Sequence, residues 1–459
     1  MTDILHFPIV IIGGGGTGLC AALAAADAGC EVLVLERDST PLGSTAMSTG
    51  MIPASGTPEQ AAAGIADSPE LFTADMVAKT KGEVDPFLTL RVAQESVGTI
   101  AWLRDEHGVP LELIGGFLYP GHSVRRMYGT PNRTGGELMA ALESACASAG
   151  IPILTEATAT AVLRDGDRVT GVRYARRDGS EEKVTCDALI LACSGFAGNA
   201  EMVARFIPEM AEATYHGHPG NKGDAIRWGL EMNAGVADME AYQGHGGLAA
   251  GHGIPILWPL IMEGGFQVNV EGQRFSNEST GYSEQAARVN AQPGHVAWSI
   301  FDERLHRLMS EFDDYRDALS AGAVVSAPTL GELSEITKLP ADALEESAAL
   351  VAAACAGAVV DPFGRTFRPE HKLEAPYYAA KVTGALFHTQ GGLVIDGDAR
   401  VLKEDGSPFP NLYAGGGAAR GVSGKGSSGY MAGNGLLAAT TFGRLAGQTA
   451  AKDIEGGAN

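Results

Sequence analysis

An apolar, β-branched run at 7–12 leads straight into Gly13-Gly14-Gly15-Gly16-Thr17-Gly18, and an acidic residue, Glu36, closes the next apolar run at 31–35. Strand, glycine turn, helix, strand and acid in this order make a dinucleotide-binding βαβ unit. The run at 7–12 suits a strand buried on both faces. Gly13 permits the tight turn, Gly15 lets backbone approach a pyrophosphate, and Gly18 lets the following helix pack on the strand. The alanine-rich stretch 19–28 reads as that helix, its N-terminus toward the phosphates. Glu36 can accept hydrogen bonds from a ribose diol. A lone glycine motif is usually an ordinary turn, but all these parts agree on an adenine dinucleotide.

Composition narrows the partners. At roughly 100–200 residues per domain, the 459 residues suffice for two or three domains. The net charge of −22, from 33 Lys+Arg against 55 Asp+Glu, argues against nucleic acid and anionic membrane. The six cysteines form no C-x-x-C pair and no zinc spacing, so a reducing compartment and no structural metal are expected. No signal-like N-terminus and no long apolar span is read, which predicts a cytoplasmic protein without a membrane span.

The predicted fold class is α/β, a Rossmann-type nucleotide domain with an inserted α+β cap. After the βαβ unit, 70–107 reads as helical and 134–149 as a helix. Short strand patterns follow at 151–155, 159–163, 169–174 and 183–185, with Asp165-Gly166-Asp167 and Asp178-Gly179 as hairpin turns. A buried strand at 188–192 ends at Ser194-Gly195, and 222–232 reads as a helix. From about 244 to 385 the nucleotide-type signals stop; strands are read at 266–270 and 296–301 and a helix at 341–354. The α/β pattern returns after Pro376, with short strands at 393–395 and 412–414 and a closing helix at 436–451. The nucleotide domain is therefore expected to be split, 1–243 and 386–459, with a cap (substrate) domain at 244–385.

Several separated segments resemble one flavoprotein family, that of fumarate reductase flavoprotein subunits, urocanate reductases and 3-ketosteroid dehydrogenases. Gly43-Ser44-Thr45-Ala46-Met47-Ser48-Thr49-Gly50 resembles the family's loop over pyrophosphate and flavin. Ala192-Cys193-Ser194-Gly195-Phe196 with Asn199 resembles its "ATGGF…N" segment, and Asn221-Lys222-Gly223-Asp224-Ala225 its "GDG" segment. Asn269 to Glu278 is similar to "VNxxGxRFxNE", and His388-Thr389-Gln390-Gly391-Gly392 to "HTxGG". Leu412-Tyr413-Ala414-Gly415-Gly416 resembles "LYAAGE"; Gly433-Asn434-Gly435-Leu436 resembles the "GNxL" start of the last helix. The resemblance makes the cofactor FAD rather than NAD. It implies FAD contacts at Gly13, Gly15, Thr17, Gly18, Glu36, Arg37, Ser44, Thr45, Ser48, Thr49, Gly50, Ala159, Ser194, Gly195, Asn199 and Asp224. The C-terminal contacts it implies are Gly416, Gly433, Asn434, Leu436 and Leu437. A helix opening at Gly433 to Gly435 would offer N–H donors to the charge of a reduced flavin.

The resemblance also divides on chemistry. Fumarate reductase-like members hold a dicarboxylate with two arginines, one four residues after the "NE" glutamate and one four before the "GN" asparagine. Those positions here are Tyr282 and Tyr430. The 3-ketosteroid dehydrogenase-like branch has tyrosines in these places, and its "NESxxY" matches Asn277-Glu278-Ser279-Thr280-Gly281-Tyr282. By that resemblance Tyr282 is a base for the proton beside a ketone. Tyr430, with a backbone N–H near Asn434 or Gly435, binds the carbonyl oxygen, and flavin N5 takes a hydride. Tyr119 and Tyr128 are candidates for an assisting tyrosine. His388, a further candidate catalytic residue, and His245 stand where reductase-like members have substrate histidines. Arg125 and Arg126 could bind a carboxylate, and Leu257, Trp258 and Phe266 could wall an apolar substrate. The resulting expectation is an FAD-dependent desaturase of a cyclic ketone, steroid or cyclohexanone-type. The alternatives are a flavin-dependent reductase of an unsaturated acid or enone, or an electron-relay subunit. With no C-x-x-C-H motif or iron–sulfur cysteines, electrons would leave to an external acceptor: oxygen, a quinone or a redox protein.

Overall fold

A computed structural model describes residues 5–115 and 118–457. The first four and last two residues of the predicted nucleotide domain, and residues 116–117 within it, lie outside the described residues. The chain divides into two units, one of Met1–Ile207, Gly217–Tyr242 and His388–Asn459, the other of Pro208–His216 and Gln243–Phe387.

The first unit is built on a sheet ordered Arg400–Leu402, Pro408–Ala414, Glu181–Leu191, Leu5–Ile12, Val32–Leu35, Ile153–Leu154. The strand Leu5–Ile12 is central. It runs parallel to Val32–Leu35, with Ile9 opposite Val32, and to Glu181–Leu191, with Ile9 opposite Ala188. That position explains why Ile9, Val10 and Ile11 are fully buried, as an apolar run in a parallel sheet must be. The helix Gly16–Asp27 begins inside the glycine turn, three residues before the reading from sequence. It packs on the closing helix Asn434–Gly457, where a methyl at Gly443 would stand 2.5 Å from the Thr17 carbonyl oxygen and one at Gly447 2.2 Å from that of Ala21. Only glycine allows backbones that close.

Three sequence expectations change here. The helical stretch at 70–107 is two α-helices, Pro69–Lys79 and Pro86–Ala101, the second running on into a π-helical turn, Trp102–Glu106. Each is started by a capping side chain followed by proline: Ser68 accepts from the Leu71 N–H, and Asp85 from those of Phe87 and Leu88. The strands at 183–185 and 188–192 are one, Glu181–Leu191. Its first half pairs with the meander strand Arg168–Arg176 and keeps an exposed face. Its second half lies between parallel neighbours and is apolar throughout. The helix read at 222–232 starts at Asp224, because Gly223 turns through φ +80°. The meander itself, Ala157–Asp165 and Arg168–Arg176, stands as read.

The second unit carries its own sheet around the long strand Tyr377–Thr389. This strand runs antiparallel to Val296–Asp302 and Val324–Ala327 and parallel to Thr214–Tyr215, and Val296–Asp302 pairs in turn with Phe266–Val268. The long strand was not read from sequence. Its buried positions are mostly small, and Gly384 interrupts the pattern, since a methyl there would lie 2.1 Å from the Ala286 carbonyl oxygen. Helices Tyr282–Asn290, Glu303–Met309, Asp313–Ser320, Leu330–Thr337 and Ala341–Cys355 lie in this unit. One core centres on Phe301, Leu305 and Tyr315; another holds Phe266, Val268, Ile300 and Leu344. Phe266 thus belongs to a packed core, with no free face to wall a substrate. Among the described residues no helix is long and apolar enough to cross a membrane.

Candidate active site

The glycine turn is held by the acid that sequence reading assigned to a ribose. Glu36 accepts from the Gly14 N–H and from the Asp38 N–H, both at 2.8 Å. Its carboxylate therefore ties the turn to the end of the second strand. Gly13 has φ +105°, and a methyl there would lie 2.5 Å from the Ala192 carbonyl oxygen; one at Gly18 would lie 1.8 Å from that of Gly13. Gly15 differs, because a methyl there would meet nothing nearer than Thr45 Oγ1 at 3.9 Å. The turn is closed where it packs and open at Gly15, the room a pyrophosphate requires. The Gly16 N–H donates to Thr45 Oγ1 at 3.2 Å.

The other candidate cofactor contacts lie within the same unit. Ser44 Oγ accepts from Asn221 Nδ2 at 2.8 Å, and Arg37 donates to the Gly220 carbonyl at 2.8 Å. Ser48 Oγ donates to the Thr45 carbonyl and accepts from the Gly50 N–H, with Thr49 between them. Ser194 adopts φ +64° ahead of Gly195, where a methyl would stand 2.1 Å from Thr389 Oγ1. Gly416 sits against Thr17, whose Oγ1 would be 2.3 Å from an added methyl. Ala159 lies on the meander strand opposite Tyr174. Asn199 and Asp224 have work in the fold. Asn199 caps the helix Ala200–Phe206 and donates to the Lys222 carbonyl, and Asp224 accepts from Arg227.

The closing helix begins at Asn434 after Gly433, which has φ +82°. The opening N–H groups of a helix have no intrahelical acceptor, so those of Gly435 and Leu436 are available. Leu437 is not: its N–H donates to the Gly433 carbonyl at 2.9 Å and its side chain is fully buried in the core. Asn434 is fully buried and its Oδ1 has no hydrogen-bond partner among the described residues. An orphaned buried amide oxygen is costly unless a ligand satisfies it.

Beside this helix start stand three of the four candidate catalytic residues. The Tyr430 ring lies edge-on to the imidazole of His388, centroids 5.7 Å apart. A methyl at Gly435 would sit 2.8 Å from His388 Cε1, 2.9 Å from Nε2 and 3.6 Å from the Tyr430 hydroxyl oxygen. Tyr430 is buried. Burial pushes the His388 imidazole down to about 4, so the ring is uncharged.

Tyr282 lies in the second unit, where it opens the helix Tyr282–Asn290. Its ring stacks on His245 at 5.3 Å and meets Trp258 edge-on at 6.3 Å; His245 also stacks on Phe387 at 5.2 Å. His245 Nδ1 accepts from the Gly247 N–H, and burial, with a contribution from His216, pushes the imidazole down to about 3. Leu257 packs beside Trp258 against the same core. Four residues before Tyr282, Glu278 is buried between two guanidinium groups: Arg274 Nη2 at 2.9 Å and Arg365 Nη1 at 3.1 Å. Burial pushes its carboxyl up, but Arg365 and Arg274 outweigh this and hold it below the usual range. Arg274 also pairs with buried Asp361. This network missed the reading from sequence because Arg365 and Asp361 lie far along the chain.

Three further candidates are otherwise employed. Arg126 is fully buried, bidentate to Asp67 at 3.0 Å and paired with Asp75, so it offers no charge to a substrate. Arg125 is exposed. The Tyr128 hydroxyl donates to Thr57 Oγ1 and faces Glu59. Tyr119 is directed at Met51 Sδ, 3.0 Å away, and burial raises its phenol well above the usual value.

Residues 8–436 match the family described as FAD binding domain. A fumarate reductase (cytochrome) of Shewanella frigidimarina is 30% identical over 447 residues, 97% of this chain and 77% of that protein. The open conformation of a flavocytochrome c3 fumarate reductase shares 26% identity and a TM-score of 0.83, over 98% of this chain and 79% of the other. The 3-ketosteroid-delta4-(5alpha)-dehydrogenase of Rhodococcus jostii RHA1, solved with 4-androstene-3,17-dione, shares 25% identity and a TM-score of 0.78 over 98% of each chain. The cofactor is FAD. The open turn at Gly15, the free helix start and the unpartnered Asn434 oxygen all fit it.

Proposed function

We propose, from the premise that this chain belongs to the FAD binding domain family of flavin oxidoreductases, that it introduces a carbon–carbon double bond beside the ketone of a cyclic substrate. FAD, when bound, supplies the two-electron acceptor. Tyr282 takes the proton from the carbon next to the carbonyl. The Tyr430 hydroxyl and the Gly435 N–H bind the carbonyl oxygen and so acidify that carbon, with His388 alongside. The remaining cradle residues, from Gly13 to Leu436, hold the cofactor, and 244–385 serves as the substrate cap.

One observation carries this reading. The two positions where the resembling reductases hold a dicarboxylate with guanidinium groups are phenols here, Tyr282 and Tyr430. A charge-assisted hydrogen bond is worth about 1.5–3 kcal/mol, and a doubly charged acid would forgo several. The uncharged His388 beside Tyr430 supports a neutral acceptor for the same reason. The names of relatives favour a second reading, a reductase of an enone or unsaturated acid, which His388 and His245 would also serve. The six unpaired cysteines support a reducing, cytoplasmic setting, and an external oxidant (oxygen, a quinone or a redox protein) would reoxidise the enzyme.

The test is anaerobic mixing of the holoenzyme with cyclohexanone, 4-oxocyclohexanecarboxylate, a saturated 3-ketosteroid and succinate. A ketone is expected to bleach the flavin and yield the enone. Bleaching by succinate alone would overturn the proposal.

A further inference from the structure

His388 is held by a neighbour two residues along the chain, the spacing that returns side chains to one face of an extended segment. Gln390 Nε2 lies 2.8 Å from His388 Nδ1, and Gln390 Oε1 accepts from the Ser423 hydroxyl at 2.7 Å. The carbonyl of Thr389 faces the same imidazole nitrogen from farther away, at 3.3 Å. Gln390 is itself fixed: its N–H donates to the Ala241 carbonyl and its carbonyl accepts from the Gly421 N–H, both at 2.8 Å. Gln390 and Ser423 are buried. With Oε1 turned to the Ser423 hydroxyl, the Gln390 amide turns its N–H to Nδ1, the arrangement of the tautomer that carries its proton on Nε2, whereas the Thr389 carbonyl would pair with Nδ1–H. Nε2 is the nitrogen that faces Gly435, where the Tyr430 hydroxyl also converges.

We propose that Gln390 and Ser423 are positioning residues that hold His388 in its Nε2–H form, so that His388 and Tyr430 present two uncharged donors to one substrate oxygen over Gly435. The inference rests on the ketone reading above and sharpens its substrate class. Two neutral donors suit a carbonyl or enolate oxygen, whereas a carboxylate would call for a cation. Gln390 orients the His388 donor before the substrate arrives, which is the condition for stabilising charge that develops on that oxygen. Chemistry at position 390 should therefore control the tautomer. In Gln390→Glu the carboxylate accepts from Nδ1–H, so Nε2 turns a lone pair toward the oxygen. In Gln390→Leu neither nitrogen is selected.

The experiment is 15N NMR of the holoenzyme labelled at histidine, with His388→Asn to identify the resonance, alongside stopped-flow flavin reduction by cyclohexanone. The wild type is expected to carry the proton on Nε2, Gln390→Glu on Nδ1, and Gln390→Leu and Ser423→Ala to show a mixture. Flavin reduction in Gln390→Glu should slow roughly 100-fold, the usual effect of losing one oxyanion donor, with FAD content unchanged. A wild-type proton on Nδ1, or a tautomer that ignores every substitution at 390 and 423, overturns the inference. If the tautomers follow this pattern while no cyclic ketone bleaches the flavin, the desaturase reading fails and the positioning role stands. Equal reduction rates in wild type and Gln390→Glu leave the desaturase reading intact and remove the positioning role.

Discussion

The imidazole of His388 stands perpendicular to the ring of Tyr430, planes at 81° and centroids 5.7 Å apart, and the backbone of Gly435 passes beside both. An edge-to-face aromatic contact fixes two rings without a covalent or ionic tie. The absence of a side chain at 435 keeps the space beside them clear. Gly435→Ala should therefore fill that space with a methyl 2.9 Å from His388 Nε2. Ketone-dependent flavin reduction is expected to fall roughly 100-fold, the effect of displacing a reacting group by about 1 Å, with FAD retained. Stopped-flow reduction and flavin-to-protein ratio check this; wild-type rates would contradict it.

Tyr282→Phe keeps the ring that stacks on His245 and removes only the hydroxyl. Turnover should drop by about 10²–10⁴, the range for loss of a general base. FAD content and thermal midpoint should stay within error of wild type, so that the loss is chemical. Near-normal turnover would remove Tyr282 from the reaction.

Glu36→Ala leaves the N–H groups of Gly14 and Asp38 without their acceptor. Each lost hydrogen bond to a charged group costs about 1.5–3 kcal/mol, and here the loss falls on the turn that receives the cofactor. FAD should dissociate at least tenfold more readily on dilution, read by flavin fluorescence. An unchanged dissociation constant would mean that the turn holds its shape without Glu36.

What could be read from the sequence was what repeats locally. Gly13 to Gly18 and Glu36 stand within one βαβ unit, so their place follows from spacing, and the meander turns are equally local. The failures come from contacts between distant segments. Glu36 reads as a ribose acceptor from the strand it ends, but its further backbone partners in the glycine turn cannot be seen from there. Arg126 looked available because Asp67 and Asp75 are more than fifty residues away. Gln390 sat inside a recognised motif without a role, although its spacing from His388 was a usable signal. The strand Tyr377–Thr389 stayed hidden because its burial comes from partners at 214–215, 296–302 and 324–327.

Acid should test His245. Its imidazole, displaced to about 3 by burial and by His216, binds no proton in the folded protein at pH 5, while the unfolded chain, near the ordinary 6.5, does. The unfolded state holds more protons, so stability falls as pH drops below about 6.5 and keeps falling toward 3. Between pH 7.5 and pH 5 this group alone should cost about 2 kcal/mol. Denaturant midpoints of wild type and His245→Gln at both pH values should differ by that amount in their pH dependence. Identical slopes would contradict a buried neutral imidazole.

The central claim is that uncharged donors, not guanidinium groups, receive the substrate. The most direct measurement is anaerobic reoxidation of the dithionite-reduced holoenzyme by 2-cyclohexenone or fumarate at equal concentration. The enone is expected to restore the oxidised flavin spectrum, with fumarate slower by at least tenfold. Faster reoxidation by fumarate would show a dicarboxylate site and contradict the claim.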